Sequence, residues 1–311
     1  QHIERWFNDP QNVVEVTPTP QIRRFSPSCE CGSRTRYFLK VQDGCDYYCS
    51  YCTIPYARGR SRSGTIASLV AQAREVAAEG GREIVITGVN IGDFGKNTGE
   101  RLIDLLRRLD EVEGIERYRI SSIEPDLLTD EIIEFCAQSR AFMPHFHIPL
   151  QCGSDAVLKL MRRHYGSALF AAKVERVRSL MPDAFIGVDV MVGSRGETAE
   201  CFAESYDFIS GLDVQHLHVF PYSERPGTMA LRIPHVVPQA EKSERVARMI
   251  ALSDAKQREF IGRYIDTVRP VLMEQPQPGH PMHGFTDNYI RVTVPPTESA
   301  VNTIVPVRLL S

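Results

Sequence analysis

At 311 residues, the chain is long enough for one large α/β domain and a small appendage. An apolar content of 42% and a charged content of 24% are ordinary for a globular protein, and no apolar run is long enough to span a bilayer. The net charge of −3 argues against a uniformly basic nucleic-acid-binding protein, so a nucleic acid would have to meet a local basic patch. Residues 1–20 have no apolar segment of the kind found in a secretory signal. We therefore expect a cytoplasmic protein with no membrane partner.

The chain divides by composition into three segments. Residues 1–33 contain several prolines and few apolar pairs, which predicts a leader or linker. Residues 34–265 alternate between strand-like and helix-like patterns, and residues 266–311 return to short strand-like runs separated by turn residues. We expect one α/β domain over the second segment and a small all-β module over the third.

The α/β segment repeats a strand followed by helical sequence. The predicted strands cover residues 37–41, 83–88, 118–122, 145–150, 185–190 and 214–220. Repeated βα units imply a parallel sheet with right-handed crossovers, which six units could build as a partial barrel or as an open sheet. In either case a ligand is expected beyond the carboxyl ends of the strands.

After a long predicted helix over about residues 239–263, the last segment changes pattern. Its strand-like runs are residues 271–273, 289–294 and 304–309, with glycine, proline and aspartate between them. These runs predict the all-β module.

Three cysteines follow the first predicted strand at a C-x₃-C-x₂-C spacing: Cys45, Cys49 and Cys52. A structural zinc site normally uses four protein ligands, and no fourth Cys or His lies nearby in the sequence. A cubane iron–sulfur cluster also usually has four cysteine ligands, and three would leave one iron open to another molecule. Clustered cysteines in a reducing compartment are more often metal ligands than disulfides. The spacing favours a cluster over structural zinc, while Cys136, Cys152 and Cys201 are interpreted as packing residues.

Polar or glycine residues follow the other strands, where a ligand is expected. The candidate cofactor contacts are Gly88 and Asn90 after the second strand, Ser122 and Glu124 after the third, Gln151 and Arg163 after the fourth, and His218 and Phe220 on the last. Each has a structural alternative: a turn glycine, a helix N-cap, a solvated arginine or a core histidine. One of the adjacent Arg162 and Arg163 is expected to be only solvated.

The cysteine spacing is the radical S-adenosylmethionine signature, and the wider sequence resembles the radical S-adenosylmethionine methylthiotransferases. The resemblance is carried by CDYYCSYCTIP at 45–55 with RGRSRS at 58–63, LQCGS at 150–154, DVMVG at 189–193 with GET at 196–198, and HVFPYS at 218–223 with RPGT at 225–228. TIPYARG at 53–59 and GFTDNYI at 284–290 look most like the branch that acts on threonylcarbamoyladenosine in tRNA, beside the anticodon. The last segment resembles the family's TRAM domain, which grips the substrate.

The resemblance implies a partial (β/α)₆ radical-SAM barrel followed by a TRAM-like β module. It implies that Cys45, Cys49 and Cys52 hold a [4Fe–4S] cluster whose fourth iron binds S-adenosylmethionine, and that the strand-end residues contact this cofactor. A 5′-deoxyadenosyl radical would then remove hydrogen from C2 of the adenine, where a methylthio group is placed. The implied partners are tRNA and a low-potential electron donor such as flavodoxin or ferredoxin. Arg58, Arg60 and Arg62 are the best basic candidates for contact with the nucleic acid.

The chain departs from the family in one large respect. Family members carry an N-terminal domain with three further cysteines that hold a second, sulfur-donating [4Fe–4S] cluster, and Cys29 and Cys31 do not supply that pattern. We therefore expect a truncated form that retains cofactor cleavage but not sulfur insertion. Two alternatives stay open: methylthiolation of an aspartate in a ribosomal protein, and a non-catalytic RNA-binding module with structural zinc.

Overall fold

Six parallel strands form the centre of the structure, a computed structural model that describes residues 18–22, 24–30, 35–276, 279–295 and 300–310. The strands are Tyr37–Lys40, Glu83–Thr87, Arg117–Ile120, His145–His147, Phe185–Val192 and His216–Pro221. Neighbours in sequence are neighbours in space, with registers such as Phe38 to Val85 and Gly187 to His216. Parallel bridges between Ser122 and His147 and between Tyr118 and Phe142 join the third strand to the fourth. The predicted parallel α/β fold is confirmed, and we number these strands one to six in that order.

The free edge of strand one is covered by an antiparallel strand, Ser28–Glu30. This strand lies inside the segment that we predicted to be a leader or linker. Its side chains alternate between exposed and half-buried, so the sequence carries no apolar pattern that would reveal it. Backbone pairing along an open sheet edge accounts for its formation.

Helices connect the strands and bury their apolar stripes against the sheet. They are Ile54–Arg58, Ile66–Ala78, Leu102–Asp110, Asp130–Gln138, Asp155–Leu160, Ser167–Leu180, Ala199–Gly211 and Gln239–Gly262. Threonine hydroxyls cap three of them, as where Thr129 Oγ1 accepts from Ile132 N at 3.3 Å. None of the helices in the described ranges is both long enough and apolar enough to cross a membrane.

The C-terminal module is a four-stranded antiparallel sheet. In spatial order its strands are Arg291–Val294, Met282–Thr286, Val268–Met273 and Ile304–Arg308. The sequence predicted three of these and missed Met282–Thr286, whose short run contains a histidine and a glycine. The run predicted to begin at residue 289 begins at Arg291, because Tyr289 has a φ of 68° and lies in the preceding turn.

Two buried arginines of strand three join the module to the barrel. Arg117 donates to the carbonyl oxygens of Phe285 and Pro270 at 2.9 and 2.8 Å. Arg119 donates to the carbonyl oxygens of Asp287 and Thr286 at 2.9 and 2.8 Å. The module is therefore attached through hydrogen bonds that two buried arginines donate.

Candidate cluster and cofactor site

The cysteine loop is anchored to the barrel by Gln42, which is fully buried. Its Nε2 donates to the carbonyl oxygen of Gly44 at 2.8 Å and to Ser61 Oγ at 2.9 Å. Its Oε1 accepts from the backbone N–H groups of Val89 and Asn90 at 3.0 and 2.8 Å. One side chain therefore fixes the loop after strand one to the loop after strand two.

We expect Gln42→Met to destabilise the protein by about 1–3 kcal/mol, because it leaves buried backbone donors and acceptors unpaired. The measurement is chemical denaturation followed by circular dichroism. Gln72→Met is the matched control, since Gln72 lies on a helix surface and donates only to the carbonyl oxygen of Ser68. Equal losses in the two variants would contradict an anchoring role for Gln42.

The three cysteine sulfurs each accept one hydrogen bond from an N–H group. The pairs are Tyr47 N with Cys45 Sγ at 3.5 Å, Ile54 N with Cys52 Sγ at 3.4 Å, and Arg163 Nη1 with Cys49 Sγ at 3.2 Å. Such donors favour the thiolate form that metals bind. Burial raises the pKa of Cys45 to about 11 and also raises the pKa of Cys49, so metal binding would release protons.

This donor set fits an iron–sulfur cluster. All three cysteines are free thiols on one loop, and each has a neighbouring donor that stabilises a negative sulfur. Within the described part of the chain, no three His, Cys, Asp or Glu side chains lie where they could hold a single metal ion. The loop therefore does not present a preformed single-ion site.

Arg163 connects the cysteine loop to the ends of strands three and four. Besides Cys49, its guanidinium contacts Glu124 Oε2, Tyr51 Oη at 3.3 Å and Tyr165 Oη at 3.0 Å. Tyr165 in turn donates to the carbonyl oxygen of Pro149 at 2.6 Å. Adjacent Arg162 is exposed, as expected for one member of the pair. Arg163 thus places a positive charge beside the buried sulfur.

Glu124 is half-buried next to this arginine. Burial raises the pKa of Glu124 to about 7, while the charge of Arg163 acts in the opposite direction. A carboxyl group in this environment can accept a hydrogen bond or hold a proton near neutral pH. Ser122, two residues earlier, is half-buried where strand three bridges to His147.

The loop after strand two contains a buried amide without a partner. Asn90 is 2% exposed, and neither its Oδ1 nor its Nδ2 has a hydrogen-bond partner among the described residues. Gly88 in the same loop has no room for a side chain, because a Cβ there would lie 2.8 Å from Ile91 Cγ2 and 3.1 Å from Gln42 Cβ. The glycine is therefore required by packing against Gln42, whereas Asn90 keeps unused hydrogen-bonding capacity for a ligand.

Comparison with known proteins identifies the family. A sequence profile described as the radical SAM superfamily matches residues 39–209, more than half of the chain. This chain belongs to the radical SAM superfamily. Within it, the chain is an MtaB-like member: the threonylcarbamoyladenosine tRNA methylthiotransferase MtaB of Bacillus subtilis is 41% identical over 89% of this chain and 63% of that protein. The protein of the same name from Thermotoga maritima is 36% identical, over 93% of this chain and 67% of that protein.

Another relative is named for a different tRNA substrate. The tRNA-2-methylthio-N(6)-dimethylallyladenosine synthase of Syntrophotalea carbinolica is 34% identical over 95% of this chain and 68% of that protein. The chain thus spans about two thirds of the length of these three curated relatives.

Two solved structures share the radical SAM fold. The radical S-adenosylmethionine methyltransferase TsrM from Kitasatospora setae has a TM-score of 0.53 and 19% identity, covering 63% of this chain and 36% of that chain. Coproporphyrinogen III oxidase (HemN) from Escherichia coli has a TM-score of 0.52 and 18% identity, covering 70% of this chain and 52% of that chain. At this identity the likeness shows the fold alone.

In this radical SAM barrel, histidines line the interior beneath the strand ends. His147 Nε2 lies 2.8 Å from Asp189 Oδ1, and the rings of His147 and His218 are 4.9 Å apart. Burial and the neighbouring histidines lower the pKa of His218 to about 4, so its ring is neutral at physiological pH. Gln151 has a φ of 69° and pairs with strand five through Val190, while Phe220 is half exposed. The strand-end positions therefore differ in how far they face the interior.

The three arginines predicted to contact nucleic acid have different environments. Arg62 is buried, with its guanidinium 3.1 Å from Asp43 Oδ2 and donating to the carbonyl oxygen of Arg58 at 2.8 Å. Arg62 and Asp43 lie on two short antiparallel strands, Gln42–Asp43 and Arg62–Ser63, that flank the cysteine loop. Because these bonds occupy the guanidinium inside the protein, the prediction that Arg62 contacts a phosphate does not fit the structure. The side chains of Arg58 and Arg60 are 52% and 72% exposed and keep that capacity, although each pairs with an aspartate.

Sequence reasoning missed several residues that shape the site. Gln42, Tyr165 and Asp189 act through partners far away in sequence, such as Val89 for Gln42 and His147 for Asp189. The sequence carries no local signal for Gln42, which lies between Val41 and Asp43 and so resembles an ordinary polar loop residue. Cys136 and Cys152 are buried, and Cys201 packs against the core, as predicted.

Proposed function

We propose that this chain is the radical-generating part of an enzyme that adds a methylthio group to C2 of threonylcarbamoyladenosine in tRNA, next to the anticodon. The observation that supports this most directly is its 41% identity, over 89% of its length, to a relative named for that tRNA substrate. The arrangement of the cysteine loop is consistent with it, because three sulfur ligands lie at the carboxyl ends of the barrel strands.

In this proposal Cys45, Cys49 and Cys52 hold a [4Fe–4S] cluster. When bound, the cluster and S-adenosylmethionine supply reductive cleavage of the cofactor and a 5′-deoxyadenosyl radical that removes hydrogen from the substrate. The chain's own contribution is positional and electrostatic. N–H donors stabilise the three thiolates, and Arg163 offsets negative charge at Cys49.

The remaining strand-end residues would bind S-adenosylmethionine. They are Gly88, Asn90, Ser122, Glu124, Gln151, His218 and Phe220. Support is strongest for Asn90, whose buried amide lacks a partner, and for Glu124, whose carboxyl group lies beside Arg163. Arg163 is already engaged by Cys49, Glu124 and two tyrosines, so we assign it to positioning rather than to the ligand carboxylate.

The proposed partners are tRNA and a low-potential electron donor such as flavodoxin or ferredoxin, all in the cytoplasm. Arg58 and Arg60 are the exposed cations next to the cysteine loop, and the C-terminal module is the second proposed contact with tRNA. We further propose that the full-length protein supplies the sulfur from a second [4Fe–4S] cluster.

Mass spectrometry of tRNA nucleosides from cells that lack the full-length protein tests the proposal. We expect the methylthio form of threonylcarbamoyladenosine to disappear and the unmethylthiolated nucleoside to accumulate, and a plasmid copy of the gene should reverse both changes. Unchanged methylthio-threonylcarbamoyladenosine would contradict the substrate assignment.

The dimethylallyladenosine substrate is a second candidate, because a relative named for it is 34% identical over 95% of this chain. The same nucleoside digest distinguishes it, since the methylthio form of dimethylallyladenosine would be lost instead. Loss of neither nucleoside, together with loss of a methylthio-aspartate from a ribosomal protein, would favour the protein-modifying alternative.

A further inference from the structure

A cavity of about 710 Å³ occupies the barrel interior on the side away from the cysteine loop. The strands contribute inward-facing residues such as Phe38, His147 and His218 to its wall, and the C-terminal module closes it with Phe285 and Tyr289. This volume is in the range that holds a nucleoside-sized ligand. Of the residues that line the cavity, the proposed function uses only His218.

The cavity carries an excess of positive charge. Three arginines line it, Arg36, Arg119 and Arg291, whereas no aspartate or glutamate of the described residues does. Carboxylates behind the wall pair with two of them: Glu274 lies 2.9 Å from Arg36, and Glu83 lies 2.9 Å from Arg119. Arg291, an exposed residue, has no carboxylate partner among the described residues, so its charge is available to an anionic group of a ligand.

Aromatic rings form one wall of the cavity. Phe285 and Tyr289 stack with ring centroids 4.8 Å apart, and the Arg36 guanidinium lies 4.6 Å from the centroid of the Phe285 ring. The His145 ring lies 4.3 Å from the Tyr289 ring, and its Nδ1 is buried without a hydrogen-bond partner among the described residues. The cavity therefore combines flat surfaces, one surplus cation and an unused polar atom.

The cavity shares one residue, His218, with the set of proposed cofactor contacts. His147 and His218 line the cavity, and His147 is hydrogen-bonded to Asp189 on strand five. Ser121 also lines it and directly precedes Ser122, one of the proposed cofactor contacts. A molecule that reacts at the strand ends could therefore extend a substituent into this space.

We propose that the cavity is the specificity pocket for the target adenosine and binds the carboxylate on its N6 substituent. This inference rests on the proposed function, since the threonylcarbamoyl group carries a carboxylate. Arg291 supplies the charge, and Phe285 and Tyr289 pack against the substituent. The dimethylallyl group of the other relative's substrate has no charge, so it leaves Arg291 without an anionic partner.

Binding to the reconstituted full-length protein tests the pocket. The probes are the free nucleosides N6-threonylcarbamoyladenosine, its methyl ester and N6-dimethylallyladenosine, measured by equilibrium dialysis. We expect the first to bind at least about tenfold more tightly than its ester, because the ester removes a charge-assisted contact. Equal affinity for acid and ester, or no binding of the acid, overturns the proposal.

Two substitutions locate the site. Arg291→Gln should weaken binding of the acid by about tenfold and leave the ester unchanged. Gly187→Val should weaken acid and ester alike by filling the cavity, since a Cβ at Gly187 lies 3.6 Å from His218 Nε2 and meets no backbone closer than 3.9 Å. Arg308→Gln is the matched control, because Arg308 is an exposed arginine of the same module that pairs with Asp266 outside the cavity. An equal effect of Arg291→Gln and Arg308→Gln overturns the pocket assignment.

The outcomes separate this inference from the proposed function. One outcome is that the nucleoside digest shows no loss of methylthio-threonylcarbamoyladenosine while N6-threonylcarbamoyladenosine still binds in an Arg291-dependent way. That result contradicts the proposed function only, and the pocket assignment stands. If that modification is lost but Arg291→Gln leaves the KM for tRNA unchanged, the pocket is wrong and the function stands. A raised KM at constant kcat supports both.

Discussion

Cys49→Ala is expected to abolish iron and sulfide incorporation into this chain while leaving its fold intact. The remaining pair, Cys45 and Cys52, cannot supply the three ligands that leave one iron open. The side chain of Cys49 is small, so alanine should cost the fold only about 1 kcal/mol. The measurements are iron and sulfide content after anaerobic reconstitution, electron paramagnetic resonance after reduction with dithionite, and formation of 5′-deoxyadenosine. All three should fall to the level of protein without iron.

Cys136→Ala is the matched control, because Cys136 is a buried free thiol on the helix Asp130–Gln138. It should lose similar stability and keep full iron content. Retention of a reducible cluster in Cys49→Ala would contradict the assignment of the loop. Binding of zinc by the unmutated chain, with no reducible cluster, would instead favour the structural-zinc alternative.

The parts of this fold that the sequence predicted are those encoded by local pattern. The six barrel strands could be placed because each is a short strand-like run followed by helical spacing. The cysteine loop could be placed because its three candidate ligands lie within eight consecutive residues, 45–52. Local sequence is enough when the interacting residues are also neighbours along the chain.

Contacts between distant residues could not be predicted in the same way. Gln42 binds backbone groups 47 and 48 residues away, and Arg163 lies 114 residues from Cys49. Arg62 shows the same limit, since it was predicted to contact the nucleic acid from its charge and its place beside the cysteine loop. Its partner Asp43, 19 residues earlier, draws it into the protein. An isolated sequence gives the charge of a side chain but not the carboxylate that neutralises it.

Arg163 contacts residues from several of the predicted site segments. The strand-end argument placed it near a ligand carboxylate, but its guanidinium instead contacts Cys49, Glu124 and Tyr165. It therefore connects the ends of strands three and four to the cysteine loop. The location was predicted from strand order, whereas the role depends on which acceptors the folded chain presents.

The junction between barrel and module depends on a buried charge pair. Arg119 and Glu83 have side chains only 1% and 0% exposed, with Arg119 Nε 2.9 Å from Glu83 Oε1. The other two guanidinium nitrogens bond to carbonyl oxygens of the module, at Thr286 and Asp287. Each of the three guanidinium nitrogens of this arginine therefore donates a hydrogen bond inside the protein.

We expect Arg119→Met to lower the free energy of unfolding by about 3–5 kcal/mol, since it leaves the buried carboxylate of Glu83 without its partner. It also leaves two module carbonyls unpaired, so the module should become susceptible to limited proteolysis before the barrel does. Denaturant unfolding followed by circular dichroism, with mass spectrometry of the proteolytic fragments, measures both effects. Arg82→Met is the control, because Arg82 pairs with Glu116 on the surface, where an ion pair contributes little. If Arg119→Met is no less stable than Arg82→Met, the buried pair does not join barrel and module, and the junction must depend on the hydrogen bonds of Arg117 and on packing of Tyr289 against His145 and Phe185.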